Sequence, residues 1–171
     1  GAVGQTGATG VIGLIGTSSG NYIFWNSTTV TWAVGSSQVR IGSESGTIGQ
    51  GQNAIAIGTN SGTYTQGLGA IALGSQAGNM NQGTNTISIG SKAGYRDQGI
   101  NSIAIGSNAG YDSQQMDSIA IGEYAGYMGQ KTNSIAIGYK AGKLSQNNNG
   151  LAIGYQAAET DQKSGGISIG Y

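Results

Sequence analysis

The acidic side chains are the first residues of this sequence that could do chemistry, because glycoside hydrolysis needs two carboxylates facing one cleft. Asp112, Asp117 and Glu123 fall in different turns or repeats of the chain, and the other repeats carry no acid at the equivalent positions. Histidine and cysteine are absent, which removes Ser–His and Cys–His nucleophile pairs and most zinc or iron sites. We therefore expect no enzyme, no metal site and no cofactor. The carboxylates are Glu44, Asp97, Asp112, Asp117, Glu123, Glu159 and Asp161.

Three tyrosines, Tyr95, Tyr111 and Tyr127, follow one another at steps of sixteen residues. An exposed row of tyrosines can hold a glycan or a protein surface, since each ring combines an apolar body with a polar tip. The same row could instead stack from one repeat to the next and stiffen the molecule. Both interpretations stay open, and the first predicts a ligand face at these three residues.

The elements that would position these side chains repeat with one fixed period. An apolar–x–apolar–Gly tetrad recurs every sixteen residues without insertion. A short fixed period is typical of a solenoid, in which each repeat stacks on the one before it. The tetrads begin at Val39, Ile55, Ile71, Ile87, Ile103, Ile119, Ile135, Leu151 and Ile167.

The tetrad reads as a short β-strand, because its large and small residues alternate and its glycine permits a bend. Sixteen residues are too few for a strand plus a crossover helix. The sequence therefore predicts an all-β, parallel β-solenoid (β-roll) over residues 39–171, with about eight coils that stack at about 4.8 Å. We expect the aliphatic residues to form an apolar ladder inside the coil, at Ile55, Ile57, Ile71, Ile87, Ile103, Ile119, Ile135, Ile153 and Ile167.

The middle residue of the tetrad is alanine or serine from the second tetrad onward, whereas Arg40 occupies the first. A solvated strand face would carry larger polar residues, so another surface must approach closely. That surface is either the opposite sheet of the same coil or a neighbouring chain. We favour the neighbouring chain, which predicts a trimer interface at Ala56, Ala72, Ser88, Ala104, Ala120, Ala136, Ala152 and Ser168.

A glutamine occupies one position in each of eight repeats, beginning with Gln50. A glutamine stack can pass amide hydrogen bonds along the solenoid or satisfy backbone groups at a bend. Recent duplication would give the same column, but neighbouring positions vary freely, which favours a physical role. The predicted ladder continues through Gln66, Gln82, Gln98, Gln114, Gln130, Gln146 and Gln162.

The N-terminal part of the chain has a different pattern. Residues 1–18 carry glycine at every third position, which is the rule of the collagen triple helix; the alternative is a flexible glycine-rich linker. Residues 19–38 hold both tryptophans and read as two strands, which could cap the solenoid or form a ligand site. Capping is the favoured interpretation. Asn26 begins an N-glycosylation sequon.

The overall composition excludes two classes of partner. Seven basic and seven acidic residues cancel, so there is no basic patch for nucleic acid. No apolar run approaches the about 18 residues of a membrane-spanning helix. We therefore expect neither nucleic-acid binding nor membrane insertion by this segment.

The repeats resemble those of known surface proteins. The segment "NSIAIG", followed by "AG" and a turn, resembles the head repeats of trimeric autotransporter adhesins of the YadA type. The stretch "IGYKAGKLSQNNNGLAIGYQA" also resembles repeats of phage and giant-virus tail-fibre-like proteins, some of which carry collagen-like triplets. The resemblance covers residues 39–171, although the sixteen-residue period is longer than that of the adhesins. It implies a left-handed parallel β-roll, three chains around one axis, and a surface fibre or adhesin.

These observations predict a homotrimeric structural fibre on a cell or virion surface. Its parts are a collagen-like segment (1–18), an aromatic transition (19–38) and a β-solenoid (39–171). The alternatives are a carbohydrate- or receptor-binding module that uses the tyrosine row, and a subunit of an extracellular filament. A host-surface glycan or receptor is the expected external partner.

Overall fold

The structure, a computed structural model, describes residues 19–26, 29–35 and 37–170. The collagen-like segment predicted at residues 1–18 lies outside the described residues, as do Ser27 and Thr28 of the sequon. The chain divides into two compact units, residues 1–36 and 37–171. We call the described part of the first the hairpin and that of the second the solenoid.

The described residues form β-strands and turns, without a helix. Within these ranges, accordingly, no helix is long and apolar enough to cross a membrane. The strands are, in chain order, β1 (Tyr22–Asn26), β2 (Thr31–Gly35), β3 (Val39–Ile41), β4 (Ile48–Gln50), β5 (Ile55–Ile57), β6 (Tyr64–Gln66), β7 (Ile71–Leu73), β8 (Met80–Gln82), β9 (Ile87–Ile89), β10 (Arg96–Gln98), β11 (Ile103–Ile105), β12 (Ile119–Ile121), β13 (Ile135–Ile137), β14 (Leu151–Ile153) and β15 (Ile167–Ile169).

The predicted parallel β-solenoid is confirmed. All nine tetrads pair in parallel into one sheet, in the order β3-β5-β7-β9-β11-β12-β13-β14-β15. The register joins equivalent residues one period apart, such as Ile103 with Ile119 and Ala104 with Ala120. Because these tetrads carry the isoleucines, we call this nine-stranded sheet the isoleucine sheet.

A second parallel sheet forms the other side of the coil. It has four strands in the order β10-β8-β6-β4, and each strand ends in a glutamine of the predicted ladder. We call it the glutamine sheet. Beyond β10 the ladder continues as single parallel bridges, which join Arg96, Asp112, Met128, Leu144 and Thr160 in succession.

Left-handed backbone conformations let so short a coil close on itself. Glycine adopts a positive φ without steric cost, and asparagine, aspartate and serine occur at such positions because of their short polar side chains. The sequence places these residue types at most of the corresponding corners. In the coil of residues 103–118, the residues with positive φ are Gly106, Asn108, Gly110, Ser113 and Asp117.

The interior of the coil is lined with small residues, which corrects the expected orientation of the tetrad. Ala56, Ala72, Ala104, Ala120, Ala136, Ala152 and Ser88 have no exposed surface within the single chain, and Ser168 in the last strand is half-buried. They therefore face the interior of the same coil, which is the alternative that was not favoured for this column. The trimer interface predicted at these residues is wrong.

The aliphatic residues point the other way. Ile55, Ile57, Ile71, Ile87, Ile103, Ile119, Ile135 and Ile153 are half-buried on the outer side of the sheet, and Ile167 is 72% exposed. The ladder predicted inside the coil therefore lies outside it.

The physical reason for this orientation is the narrowness of the coil. A Cβ atom built on Gly126 would lie 3.2 Å from the Ala120 Cβ and 2.5 Å from the Gln130 Oε1. Sheets that interdigitate large side chains need about 10 Å between them. An interior that crowds even a methyl group cannot admit isoleucine.

The hairpin is an antiparallel pair, β1 with β2, in which Trp25 lies opposite Trp32 and Ile23 opposite Val34. The two indole rings meet edge to face, with centroids 5.5 Å apart. The Asn21 side-chain amide donates to the Gly35 carbonyl at 3.1 Å and closes the open end of the pair. The aromatic strands predicted within residues 19–38 therefore form a hairpin, and its capping role stays a prediction.

Candidate interaction surface

The outer side of the isoleucine sheet is a continuous apolar surface. Each strand contributes two aliphatic side chains, and in-register pairing aligns them into two columns. Neighbours in a column partly cover one another, so most members are half-buried within the single chain. We call this surface the isoleucine face: Val39, Ile41, Ile55, Ile57, Ile71, Leu73, Ile87, Ile89, Ile103, Ile105, Ile119, Ile121, Ile135, Ile137, Leu151, Ile153, Ile167 and Ile169.

The isoleucine face is a contiguous apolar patch that is partly open to water. Contiguous exposed apolar patches of more than a few hundred Å² mark interaction surfaces. Antiparallel sheets with one solvated face alternate apolar and polar residues, whereas a strand that is apolar on both faces is covered on both. The tetrads are of the second kind, because alanine fills one side and isoleucine the other. The isoleucine face is therefore the candidate interaction surface of the solenoid.

The glutamine column fixes the strands that carry this face. The Gln114 side-chain amide donates to the Ile103 carbonyl at 2.8 Å, and the Gln130 amide donates to the Ile119 carbonyl at 2.7 Å. These glutamines are buried, so each bond crosses the interior from the glutamine side of the coil to a tetrad strand. Buried amide bonds of this kind hold the two sides in one register.

The glutamine amides also bond to one another along the solenoid. Gln98 donates to Gln114 at 3.2 Å, and the chain continues from Gln114 through Gln130 and Gln146 to Gln162. Between Gln82 and Gln98 the hydroxyl of Ser88 acts as a relay, since it accepts from the Gln82 amide and donates to the Gln98 carbonyl oxygen. Both roles expected for this column occur together.

The first coil ends the column differently. Arg40 occupies the interior position that alanine or serine holds in later coils, and it is half-buried. Its guanidinium donates to the side-chain oxygens of Gln50 and Gln38. Gln66 and Gln82 each have a buried Oε1 without a partner among the described residues, so the amide chain is interrupted between Gln50 and Gln66 and again between Gln66 and Gln82. In the first coil, the charged side chain of Arg40 thus takes the place of a small interior residue.

The tyrosine row stacks along the solenoid. Tyr95, Tyr111 and Tyr127 lie in successive coils with centroids 5.0 Å apart and interplanar angles of 10° and 23°. Tyr124 meets Tyr127 edge to face at 5.3 Å. Burial is the main cause that raises the pKa of Tyr127 above its ordinary value. Cross-coil stacking, one of the two interpretations of this row, is therefore present, and it covers the inner ring faces.

An ion pair lies beside this row. The Arg96 Nε donates to the Asp112 Oδ1 at 3.2 Å, and the guanidinium makes a second hydrogen bond to the other carboxylate oxygen. Hydrogen bonding to Arg96 is the main cause that holds the pKa of Asp112 below its ordinary value. Asp112 is therefore paired with a structural partner in the preceding coil.

Three further acids make similar contacts between coils. Asp117 accepts from the Asn101 amide at 3.1 Å, Asp97 accepts from the Asn81 amide at 2.8 Å, and Glu159 pairs with Lys143 at 3.3 Å. Among the described residues there is no group of three or more side chains that could hold a metal ion. These carboxylates bind neighbouring coils to one another.

The sequence contained a signal for the isoleucine face that hydrophobicity alone does not resolve. Both sides of the tetrad are apolar, so burial could be assigned to either. The deciding feature is the combination of two columns: the alanine or serine in the middle of the tetrad, and the glutamine. A glutamine side-chain amide can reach the tetrad carbonyls only if the interior between them is narrow. That combination points the alanines inward and the isoleucines outward.

Comparison with known proteins finds a similarity in this part of the chain. Residues 50–77 and 98–109 match the family model of the YadA head domain repeat, in two copies. The matches begin at Gln50 and Gln98, which occupy the same position of the coil. No curated protein and no solved structure matches the chain significantly. Over these residues the solenoid is therefore similar to YadA head domain repeats.

Proposed function

We propose that this chain is a structural, adhesin-type surface fibre whose solenoids assemble as a homotrimer through the isoleucine face. The observation that carries the proposal is that face itself. Two aliphatic columns run along nine in-register strands, while the alanine column is already buried within each chain. A second and a third copy supply the matching apolar surface.

The energy available from this face fits an obligate assembly. Complete burial of one aliphatic side chain is worth about 1.5–3 kcal/mol. The half-buried side chains of the isoleucine face would gain part of this free energy when a partner covers them. Summed over nine strands, the gain is large enough to offset the cost of association, which is about 4–15 kcal/mol. A charge on this face would therefore oppose assembly directly.

Three copies fit the chain better than two. The matched repeats resemble the heads of trimeric adhesins, and the glycine triplets of residues 1–18 fit a helix of three chains. The rod of about eight coils, roughly 40 Å long, would project from a cell or virion surface. Its expected external partner is a host-surface glycan or receptor, and its role is mechanical rather than catalytic.

In this account the tyrosine row stiffens the rod. The ring faces of Tyr111 are covered on both sides by its neighbours. A ligand would reach chiefly the ring edges of the middle residue, which makes the row a poor stacking platform. The host-binding surface is therefore assigned to no particular residues.

The proposal is tested by sedimentation equilibrium of the full chain and of two charge variants. Ile119→Glu with Ile135→Glu places two carboxylates on the isoleucine face of each copy. Met128→Glu with Thr160→Glu is the matched control, since both residues are exposed on the bridge ladder that continues the glutamine sheet. We expect three chains for wild type and control, and a smaller species with intact β-structure by circular dichroism for the test variant. A test variant that stays trimeric would rule out the isoleucine face as the interface.

A further inference from the structure

One face of the hairpin is apolar and open to solvent. Trp25 and Trp32 are 50% and 51% exposed, and Ile23 is 51% exposed. The cross-strand pairs place these three side chains on the same side of the two-stranded sheet, together with Val34. We call this surface the tryptophan face.

A two-stranded hairpin is marginally stable in water by itself and needs a surface to pack against. Aromatic residues at the centre of a contact are the side chains that contribute most to protein–protein affinity. Two indoles and an isoleucine lie in one patch, each with about half of its surface in water. Such a patch is typical of an interface that a partner completes.

The occupant that fits is another copy of the same hairpin. The hairpin ends at Gly35 and the first strand of the solenoid begins at Val39. These two residues are four positions apart and are therefore separated by at most about 14 Å. If the solenoids trimerise, three hairpins are therefore held close together, and such short tethers give effective concentrations in the millimolar range. The glycine triplets that precede the hairpin in the sequence also fit an assembly of three chains.

Charge permits the same arrangement. In a symmetric trimer every charged residue of the hairpin would face or neighbour its own copies, and like charges side by side are destabilising. The first charged residue of the sequence is Arg40, so the whole hairpin is neutral. Nothing in the hairpin therefore carries a charge that would repel a second copy.

We propose that the tryptophan faces of three copies pack against one another and lock the register of the chains between the glycine triplets and the solenoid. This inference rests on the proposed trimer of solenoids. It assigns a separate interface to the hairpin, one that the isoleucine face does not supply.

The two tryptophans are the only ones in the chain, so their fluorescence reports on this face alone. The experiment measures acrylamide quenching and sedimentation mass for the full-length wild type and for Ile23→Glu, which keeps both indoles and places a charge between the copies. Thr31→Glu is the control, because Thr31 is exposed and lies on the other side of the hairpin. The solenoid variant Ile119→Glu with Ile135→Glu supplies the reference for separated chains.

The expected result is a wild-type trimer in which quenching is reduced relative to the separated chains. Ile23→Glu should remain trimeric through its solenoid and lose that protection, while Thr31→Glu keeps it. A wild-type trimer whose tryptophans are quenched as in the separated chains would overturn the hairpin interface but not the trimer of solenoids. The tryptophan face would then be open to another partner, such as a glycan. A wild-type monomer would overturn both. Should Ile23→Glu fail to fold, wild type against the solenoid variant still decides the question.

Discussion

At the scale of single residues, the glutamine column is the part of the solenoid with the most partners per side chain. Gln130 donates to the Ile119 carbonyl, the Ser134 carbonyl and the Gln146 side chain, and it accepts from Gln114. None of its surface is exposed. Removing the amide leaves buried donors and acceptors unpaired, which costs more than the hydrogen bonds contribute.

Gln130→Leu should therefore lower the free energy of unfolding by about 2–5 kcal/mol, since more than one buried group loses its partner and each costs about 1–3 kcal/mol. Gln115→Leu is the control, because Gln115 is exposed and should change stability by less than about 0.5 kcal/mol. Urea unfolding followed by circular dichroism measures both. Equal stabilities for the two variants would refute the structural role of the column.

Glycine contributes to the fold where one coil passes over the next. A Cβ atom on Gly122 would lie 2.6 Å from the Gly138 carbonyl oxygen, at a φ of +124°, whereas one on Gly129 meets nothing closer than 3.8 Å at a φ of +72°. Gly129→Ala should cost about 1–2 kcal/mol from its left-handed conformation alone. Gly122→Ala adds a clash with backbone that cannot move, and we expect a total loss above about 3 kcal/mol. Thermal unfolding compares them, and a smaller loss at Gly122 than at Gly129 would contradict the described stacking.

At the scale of elements, the tetrad strand is defined by which side faces inward. Ala120 has no exposed surface, and its Cβ already bounds the space beside Gly126. Ala120→Val should overpack the coil and cost about 1–3 kcal/mol. Met128→Val, at an exposed position, should cost less than about 0.5 kcal/mol. If Ala120→Val kept full stability but separated the chains, the alanine column would be an interface after all.

The sequence predicted this element well in one respect and badly in another. The period of sixteen residues determined the strands, their parallel pairing and their register, because each tetrad alternates large and small residues and ends in glycine. It did not determine the inward side, because Ile119 and Ala120 are both apolar and hydrophobicity favours burying the larger. The width of the coil decides the matter, and that width depends on the left-handed corners at Asn108, Gly110 and Ser113, which hydrophobic periodicity does not reveal.

The tyrosine row makes the stability of the solenoid depend on pH in the alkaline range. Burial raises the pKa of Tyr127 in the folded chain, so the neutral phenol is favoured by folding. Its contribution to stability is present below the ordinary pKa of about 10 and is lost as the pH rises through the folded pKa. Tyr127→Phe keeps the stacked ring and removes the hydroxyl. We expect its stability to fall less steeply than that of wild type as the pH rises above about 10, with Tyr64→Phe as control; parallel curves for wild type and Tyr127→Phe would refute the effect.

At the scale of the whole molecule, the account depends on what covers the isoleucine face. Within one chain the interior is complete: small residues and glutamines fill it, and the hydrogen bonds of Gln114 and Gln130 close it. The large aliphatic residues are therefore left over from folding and available for assembly. In the proposed trimer, packing that a monomer would normally use for its core is used between chains.

Thiol protection at the isoleucine face tests this claim most directly, because the chain contains no cysteine and each variant has a single reactive group. Ile121→Cys lies on the isoleucine face, and Met128→Cys lies on the bridge ladder that continues the glutamine sheet. The account predicts that the first thiol reacts much more slowly than the second with a maleimide in the native assembly. It predicts similar rates once Ile135→Glu with Leu151→Glu separates the chains. Equal rates in the native protein would mean that the isoleucine face is open to solvent and would contradict the account.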